Sequence, residues 1–523
     1  MNSESSSAII DSSTSAASVL NDALGNRFAG LPPAFFTRLQ PTPLPNPYPV
    51  AFSASAATLI GLPSDALQDT ALLETLAGNR VLPASQPLAA VYSGHQFGVW
   101  AGQLGDGRAI GLGEVVNARG ERWELQLKGA GITPYSRRAD GRAVLRSSMR
   151  EFLCSEAMFH LGIPTTRALS LIATGEAVRR DMFYDGNPRN EPGAVVCRVA
   201  PSFIRFGHFE ILAAQDEAEL LRRLVEFTIR RDFPHLAGSG HERFAAWFRE
   251  VCERTAKLMV EWMRVGFVHG VMNTDNMSIL GLTIDYGPYG WIDNFDPGWT
   301  PNTTDEETRR YCYGEQPRVA RWNLERLADA LASLAPARNV LEEGLVHFDA
   351  TLQHAMQDML AAKFGFLRWK EEDGALVSEV FELMQQCEMD MTWMFRSLAD
   401  VDLLNPQVES LASSSYQPEL FDSHRKLFAA WLNRYAMRAR EEQGDAGQRA
   451  GRMNRVNPRF VLRNYLAQQA IEAAEQSDDL RPLHRLLDAA RQPYSADCPA
   501  DLVAMRPEWA RNKAGASMLS CSS

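Results

Sequence analysis

The chain has 523 residues, 45% of them hydrophobic, which is enough for two to four domains with sizeable cores. A formal net charge of −11 leaves no global basic footprint of the kind that nucleic-acid binding needs, and seven cysteines without a Cys-x-x-Cys pair provide neither a disulfide framework nor a zinc site. No run of about 18 apolar residues occurs, and the Ser/Ala-rich start, with Glu4 and Asp11, has no positive leader segment. The expectation is a cytoplasmic protein, with no membrane or nucleic-acid partner.

Residues 1–25 are small and polar and are expected to be a disordered tail. Prolines from Pro32 to Pro49 then punctuate an extended lead-in, and a helix is predicted over 66–77, so that residues 26–88 form a packed N-terminal extension rather than a separate domain. From residue 89 the texture changes to short strands and glycines. At Gly105-Asp-Gly-Arg108 the missing Cβ atoms of Gly105 and Gly107 would let backbone N–H groups approach phosphate oxygens, with Arg108 adding charge. A plain Asp-Gly hairpin turn fits the same residues. No Gly-x-x-x-x-Gly-Lys-Ser/Thr motif is present, which excludes a P-loop.

Residues 122–128 alternate as a half-buried strand, with Trp123, Leu125 and Leu127 on one face and Glu124, Gln126 and Lys128 on the other. The turn-rich stretch 132–142 offers Arg137, Arg138, Asp140, Gly141 and Arg142 for phosphate or ribose contact, or is a solvated loop. A helix is predicted over 145–161, stopped by Gly162 and Pro164, with Leu145, Met149, Phe152 and Phe159 facing the core. Glu151 lies on its polar stripe with Ser148 and Ser155, which makes it the natural partner of Lys128. Arg198 and Arg205 interrupt an apolar run, and arginines so placed need an anionic partner; a triphosphate would serve.

Residues 217–266 read as helical and lead into the densest window of the chain, Phe267-Val-His-Gly-Val-Met-Asn-Thr-Asp-Asn276 followed by Asp285-Tyr-Gly287. In kinase-type sites a loop supplies an Asp base and, five residues on, a metal-binding Asn; a later Asp-Phe-Gly Asp binds the metal ions on the phosphates. With His269-Gly270 aligned to that loop, Asn276 and Asp285 take the metal positions, oxygen ligands suited to Mg²⁺. The base position falls on Val271, and Asp275 is the only nearby carboxylate that could replace it. Read alone, the same residues are a polar turn and a hairpin end, with the apolar run 279–284 a short buried strand or hairpin. Residues 291–315 occupy the place of an activation segment, and 322–487 are dominated by helical periodicity with a polar break near 441–451. The order of glycine turn, strand Lys, helix Glu, Asn and Asp-Tyr-Gly predicts an α+β, protein-kinase-like bilobal fold. Its parts are a first lobe over 89–205, a second-lobe core over 206–325 and a helical C-terminal extension over 326–523.

With these residues in place the chain resembles the selenoprotein O family of pseudokinases, whose bacterial members carry Cys where some relatives carry selenocysteine. The likeness runs from about residue 45 to the C-terminus and rests on Tyr92-Ser-Gly-His-Gln-Phe-Gly98, Leu127-Lys-Gly-Ala-Gly-Ile-Thr-Pro-Tyr-Ser-Arg137, His269-Gly-Val-Met-Asn-Thr-Asp-Asn-Met-Ser278 and Cys521. The resemblance implies a protein adenylyltransferase that binds ATP inverted relative to kinases, and the chain is separately expected to be a monomer. Such an enzyme transfers AMP to Ser, Thr or Tyr hydroxyls of proteins, with UMP transfer under Mn²⁺ as a variant; a conventional kinase and a non-catalytic scaffold are the alternatives. It further implies Asp275 as proton acceptor and Asn276 and Asp285 as ligands of Mg²⁺ or Mn²⁺. Gly105, Gly107, Arg108, Lys128, Asp140, Gly141, Arg198, Arg205 and Asp285 would bind the nucleotide, with Glu151 holding Lys128. Because the family carries a redox-active residue near the C-terminus, Cys521 is expected to pair with Cys312.

Overall fold

The computed structural model describes residues 15–520, apart from 336–337 and 443–445. Its centre is an antiparallel sheet of strands β1 (Phe36–Arg38), β2 (Tyr48–Phe52), β3 (Leu88–Ala90), β6 (Ala109–Val116), β7 (Arg122–Lys128), β8 (Arg167–Arg180) and β9 (Arg189–Ala200), with β4 (Ser93–Gln96) and β5 (Val99–Gln103) forming a separate hairpin. The order across the sheet is β1-β3-β6-β7-β9-β8-β2. Strand alternation gives the sheet two different faces. Leu125, Leu127, Cys197 and Val199 point into a core shared with helices α1 (Ala16–Ala23) and α2 (Thr70–Ala77), whereas Ala194 and Val196 face the core around helix α3 (Leu145–His160). Both edge strands, β1 and β2, come from the proline-rich lead-in, so residues 26–88 complete the sheet as well as covering it.

The N-terminal tail differs from its prediction. Residues 1–14 lie outside the described residues, but Ala16, Ala17 and Leu20 are buried, Ser15 caps α1 by accepting from Ser18 N, and Ala17 N donates to Asp69 Oδ2 at 3.0 Å. Leu24 and Gly25 then pair with Val115 and Glu114 of β6. The predicted helix over 66–77 is split: a 3₁₀ turn, Ala66–Gln68, precedes α2 because Asp69 takes the N-cap position and accepts from Ala71 N at 2.8 Å.

Helix α3 is enclosed on all sides from Leu145 to Met158, between strands β8 and β9 and the C-terminal helices Asn464–Ser477 and Arg481–Ala490. Phe159, expected in the core, is instead 42% exposed and lies under the guanidinium of Arg167, 3.6 Å from the ring centre. Chain 206–265 forms helices α4 (Phe206–Ala214), α5 (Ala218–Asp232) and α6 (Gly240–Val265); α6 ends at Gly266 in the left-handed conformation (φ 76°). From residue 316 to 490 the described chain is mainly helical, and helix Ala446–Val456 begins within the stretch expected to be a polar break.

Residues 279–284 are buried apart from the partly buried Leu282, yet they form no strand, only an isolated bridge between Thr283 and Thr165. Their backbone bonds go elsewhere: Ile279 N donates to Ile204 O at 3.0 Å and Thr283 N to Pro164 O at 2.8 Å. The short ladder in this region joins Phe267–Val268 to Gly290–Trp291. Overall the fold is mixed α and β, with one large antiparallel sheet and a helical C-terminal part. Among the described residues, no helix is long and apolar enough to cross a membrane.

Candidate active site

The loop after α6 is fixed from below. His269 stacks on Trp262 (5.3 Å between ring centres), and its Nε2–H donates to Ile284 O at 2.8 Å; since that oxygen can only accept, the ring proton is on Nε2. One imidazole therefore ties the 269–276 loop to the segment carrying Asp285. Asn276 Nδ2 donates to Val271 O at 2.9 Å, which orients its side-chain amide and leaves Oδ1 as an acceptor. Val271 itself is buried and apolar.

Asp275 sits in the 3₁₀ turn Thr274–Asn276 and is 8% exposed. Its Oδ2 accepts a long bond from Gln96 Nε2 (3.3 Å), and its Oδ1 is buried without a partner. Burial pushes the carboxyl up to about 7, against the opposing pull of Arg205 and Gln96. Gly94 lies so close that a Cβ there would stand 2.6 Å from Asp275 Oδ1.

Asp285 has the opposite environment. It adopts φ 55°, a left-handed conformation uncommon for a non-glycine residue, and its oxygens accept from Arg198 Nη1 (2.6 Å) and from Arg205 Nη1. Burial alone would raise its pKa, but Arg205, Arg198 and Lys128 together hold the carboxyl far below the usual range. Lys128 Nζ pairs with Glu151 Oε2 at 2.5 Å, and Glu151 Oε1 lies 3.3 Å from Arg198 Nη1. Burial lowers the Lys128 ammonium, and Glu151 opposes that effect. The anionic partners expected for Arg198 and Arg205 are thus supplied first by the protein. In these ion pairs three cations, Lys128, Arg198 and Arg205, share the carboxylates of Glu151 and Asp285, and Arg108 adds a further cation to the cleft lining.

The cleft above this network has a volume of about 840 Å³ and is rimmed by residues 105–109 and 135–142. Arg108, Arg137 and Arg138 line it, and the last two are exposed, with no ion pair or hydrogen bond from their side chains among the described residues. Asp140, also on the rim, is engaged by Arg180, its two oxygens each 2.7 Å from an Arg180 nitrogen. The glycines have a packing reason distinct from phosphate approach: a Cβ on Gly105 would stand 2.5 Å from Tyr135 Cγ, and one on Gly107 2.9 Å from Tyr135 O. Gly141 has φ 71°, and a Cβ there would lie 2.2 Å from the carbonyl carbon and oxygen of Gly131. Gly141→Ala is expected to cost at least about 2 kcal/mol in urea unfolding, from left-handed strain plus overlap with backbone. An unchanged midpoint would contradict that packing.

Several residues at the site escaped sequence reasoning. The hairpin β4–β5 turns at Phe97 and Gly98, both with positive φ (51° and 83°). Its tip is held by Phe97 N donating to Tyr311 Oη (2.9 Å) and to Asn273 Oδ1 (3.2 Å), while His95 N donates to Thr274 Oγ1 (2.7 Å). The Tyr92–Gly98 motif thus clamps the Asp275 loop. Gln126 accepts from Arg198 and donates to Asp106 Oδ2 (3.2 Å), which extends the buried network under the sheet. The alternation of 122–128 already placed Gln126 on the face of Lys128, and that was the available signal. Cys312 is buried, which pushes its thiol up; Cys521 lies outside the described residues.

Asn276 Oδ1, the unpartnered Oδ1 of Asp275 and the Asp285 carboxylate are all oxygen donors, the chemistry that Mg²⁺ or Mn²⁺ requires. Among the described residues no group of three His, Cys, Asp or Glu side chains could hold a metal unaided. The set therefore fits an ion held by one or two protein ligands together with substrate phosphates. Cations converging on a paired carboxylate, beside a second, buried carboxyl raised to about 7, form a candidate site for phosphate or nucleotide groups.

A family model described as protein adenylyltransferase SelO matches residues 19–491, and the chain belongs to that family. It is an enzyme of the nucleotidyltransferase class. Protein nucleotidyltransferase YdiU of Tolumonas auensis is 59% identical over 492 residues, covering 94% of each chain. The protein of the same name from Methylobacillus flagellatus is 58% identical over 492 residues, covering 94% of this chain and 95% of its own. The matched span begins well before residue 45, taking in most of α1, and stops short of Cys521.

Proposed function

We propose that the chain transfers AMP from ATP to Ser, Thr or Tyr hydroxyls of protein acceptors, releasing pyrophosphate, on a kinase-like scaffold. In this reading residues 89–205, with the extension 26–88, form the first lobe; 206–325 form the second-lobe core and 326–523 a helical extension. The enzyme acts as a cytoplasmic monomer without nucleic-acid or membrane partners. The observation that carries the reading is Asp275: a buried carboxyl near pH 7 with one free oxygen, adjacent in sequence to Asn276 and within the field of Arg205.

The Asp275 carboxylate takes the proton of the acceptor hydroxyl as the hydroxyl oxygen attacks the α-phosphorus. A new P–O bond forms to the acceptor, and the bond from the α-phosphorus to the pyrophosphate oxygen breaks. Lys128, Arg198 and Arg205, with Arg108 at the rim, hold the triphosphate in line and stabilise charge on the leaving group, where positioning and electrostatics supply most of the acceleration. Glu151 keeps Lys128 extended from β7 toward the phosphates. Asn276 and Asp285 would hold Mg²⁺, or Mn²⁺ in its place, and that ion supplies neutralisation of phosphate charge. The same chemistry serves UTP as UMP donor. A buried valine at the usual base position, its carbonyl occupied by Asn276, argues against ordinary γ-phosphoryl transfer.

Incubation with ATP labelled at the α- or the γ-phosphate, Mg²⁺ or Mn²⁺, and a generic protein acceptor tests this directly. Covalent label from the α position alone is expected. Label from γ alone would make the enzyme a kinase, and label from neither would favour a scaffold.

A further inference from the structure

The hairpin β4–β5 stands apart from the main sheet, and its two edges differ. Phe97 and Gly98, both at positive φ, form its two-residue turn. Gln96 and Val99 are therefore the hydrogen-bonded closing pair, and His95 and Trp100 the next, non-hydrogen-bonded pair, whose backbone groups point away from the ladder. A bulge between Trp100 and Gln103 makes Gln103, opposite Ser93, the following position of that kind, and Leu104 N closes the pair beyond it by donating to Tyr92 O at 2.8 Å. On the β4 edge the outward groups are covered: His95 N donates to Thr274 Oγ1 at 2.7 Å, and Ser93 O lies against Gly207 of α4. On the β5 edge no strand pairs, and the outward backbone groups of Trp100 and Gln103 have no partner among the described residues.

This open edge is also apolar. Val99 is 69% and Trp100 40% exposed, and Val99–Gln103 contains no charged residue and no proline, the usual devices against pairing at a strand edge. Outward N–H and C=O groups beside apolar side chains are completed by another extended backbone. The edge is short and bulged, which suits brief pairing, and it is rigid: the Trp100 ring packs edge-on against His95, which is held by Glu210 at 2.7 Å. It also lies beside the chemistry. Gln96, opposite Val99, donates to Asp275 Oδ2, and Phe97 N ties the turn to Tyr311 and Asn273. A chain laid along β5 and running past the turn arrives at the mouth of the cleft, which Gln96, Phe97 and Asn273 line.

We propose that the outer edge of β5 docks the acceptor polypeptide. An extended segment of the acceptor pairs with the backbone of Trp100, lays an apolar side chain against Val99, and carries its hydroxyl residue past the Phe97 and Gly98 turn to Asp275. The assignment rests on the transfer reading above, in which Asp275 receives the hydroxyl proton. A protein acceptor fits this place, because the family transfers to proteins and a second copy of the chain paired here would obstruct the approach to Asp275.

The test uses the full-length enzyme, labelled ATP and one acceptor, α-lactalbumin, either folded with its disulfides intact or unfolded by reduction and alkylation. The unfolded form is expected to be labelled with a kcat/KM at least about tenfold higher, since only an extended segment can add to the edge. Val99→Lys places a charge where natural edges carry one against pairing, and should raise the KM for the unfolded acceptor about tenfold with kcat at saturating acceptor and the KM for ATP unchanged. A merely structural role for Val99 would lower kcat as well. Equal labelling of the two forms, a Val99→Lys variant with an unchanged acceptor KM, or a wild-type dimer that Val99→Lys dissolves would each overturn the proposal. Transfer of γ-label in place of α-label, with the same change in acceptor KM, would overturn the nucleotidyl reading and leave the docking edge in place.

Discussion

An Asp285→Asn variant is expected to lose at least about a thousandfold in nucleotidyl transfer and, separately, about 3–5 kcal/mol of stability. The two losses have different origins. Transfer falls because the proposed site loses the charge that orients Arg198 and Arg205 and that would help hold the metal. Stability falls because two buried guanidinium groups lose their shared carboxylate, and the new amide nitrogen faces one of them donor to donor. The substitution is nearly isosteric, so a cavity cannot be the cause. The pH dependence separates this from a general packing defect. Asp285 has a folded pKa far below its ordinary value of 3.8, so its contribution is fully present above about pH 4 and is lost only as acid protonates it in the folded state. The gap in urea midpoint between wild type and variant should therefore be constant from pH 8 to about 5 and shrink only in stronger acid. Transfer of α-label at the wild-type rate would remove Asp285 from the chemistry, and a gap that changed between pH 8 and 6 would mean that a different group is being read.

The parts of this site visible in the sequence were those whose signal is local. The strand Arg122–Lys128 announces itself by strict alternation, and Glu151 is found because helical spacing separates it from Leu145, Met149 and Phe152. What alternation cannot reveal is who meets whom across the chain. Arg198 and Arg205 were legible as buried cations in need of an anion, but their first partner, Asp285, lies 80 or more residues away. Residues 279–284 read as a strand because they are apolar and short. They are buried by enclosure, with backbone partners at Pro164 and Ile204 that no local period encodes. Gly105 and Gly107 were read for phosphate approach and Gly141 for phosphate or ribose contact; the packing that excludes a Cβ at each comes from Tyr135 and Gly131, neighbours that the local sequence does not reveal. Phe159 obeys the same logic: helical periodicity puts it on the core side, but the core ends one residue earlier and Arg167 covers the ring. The N-terminal helix was missed because alanine carries its buried face, and alanine is a weak hydrophobic signal in a Ser/Ala-rich stretch.

Asp275→Asn is expected to show activity and stability moving in opposite directions. As a proton acceptor Asp275 works only when ionised, and burial raises its pKa from 3.8 to about 7. The wild-type kcat/KM should therefore climb with pH through about 7 and level off above it, reporting the free enzyme, while the variant is flat across that window and about 10²–10⁴-fold slower at the plateau. For stability the sign is reversed. Between pH 3.8 and about 7 the folded protein holds a proton that the unfolded chain has released, so wild-type stability declines as pH rises through that interval. A neutral asparagine escapes this decline. At pH 8 the variant should be more stable than wild type by up to about 4 kcal/mol, and the advantage should vanish near pH 4. The burial that leaves Oδ1 without a partner raises the pKa on which both expected effects rest. Urea melts at pH 4, 6 and 8 beside α-label transfer over the same range distinguish the cases. A variant that is slow but no more stable at pH 8 would mean that Asp275 is ionised in the resting fold and acts by charge alone; one that is more stable but equally fast would hand the proton to another group.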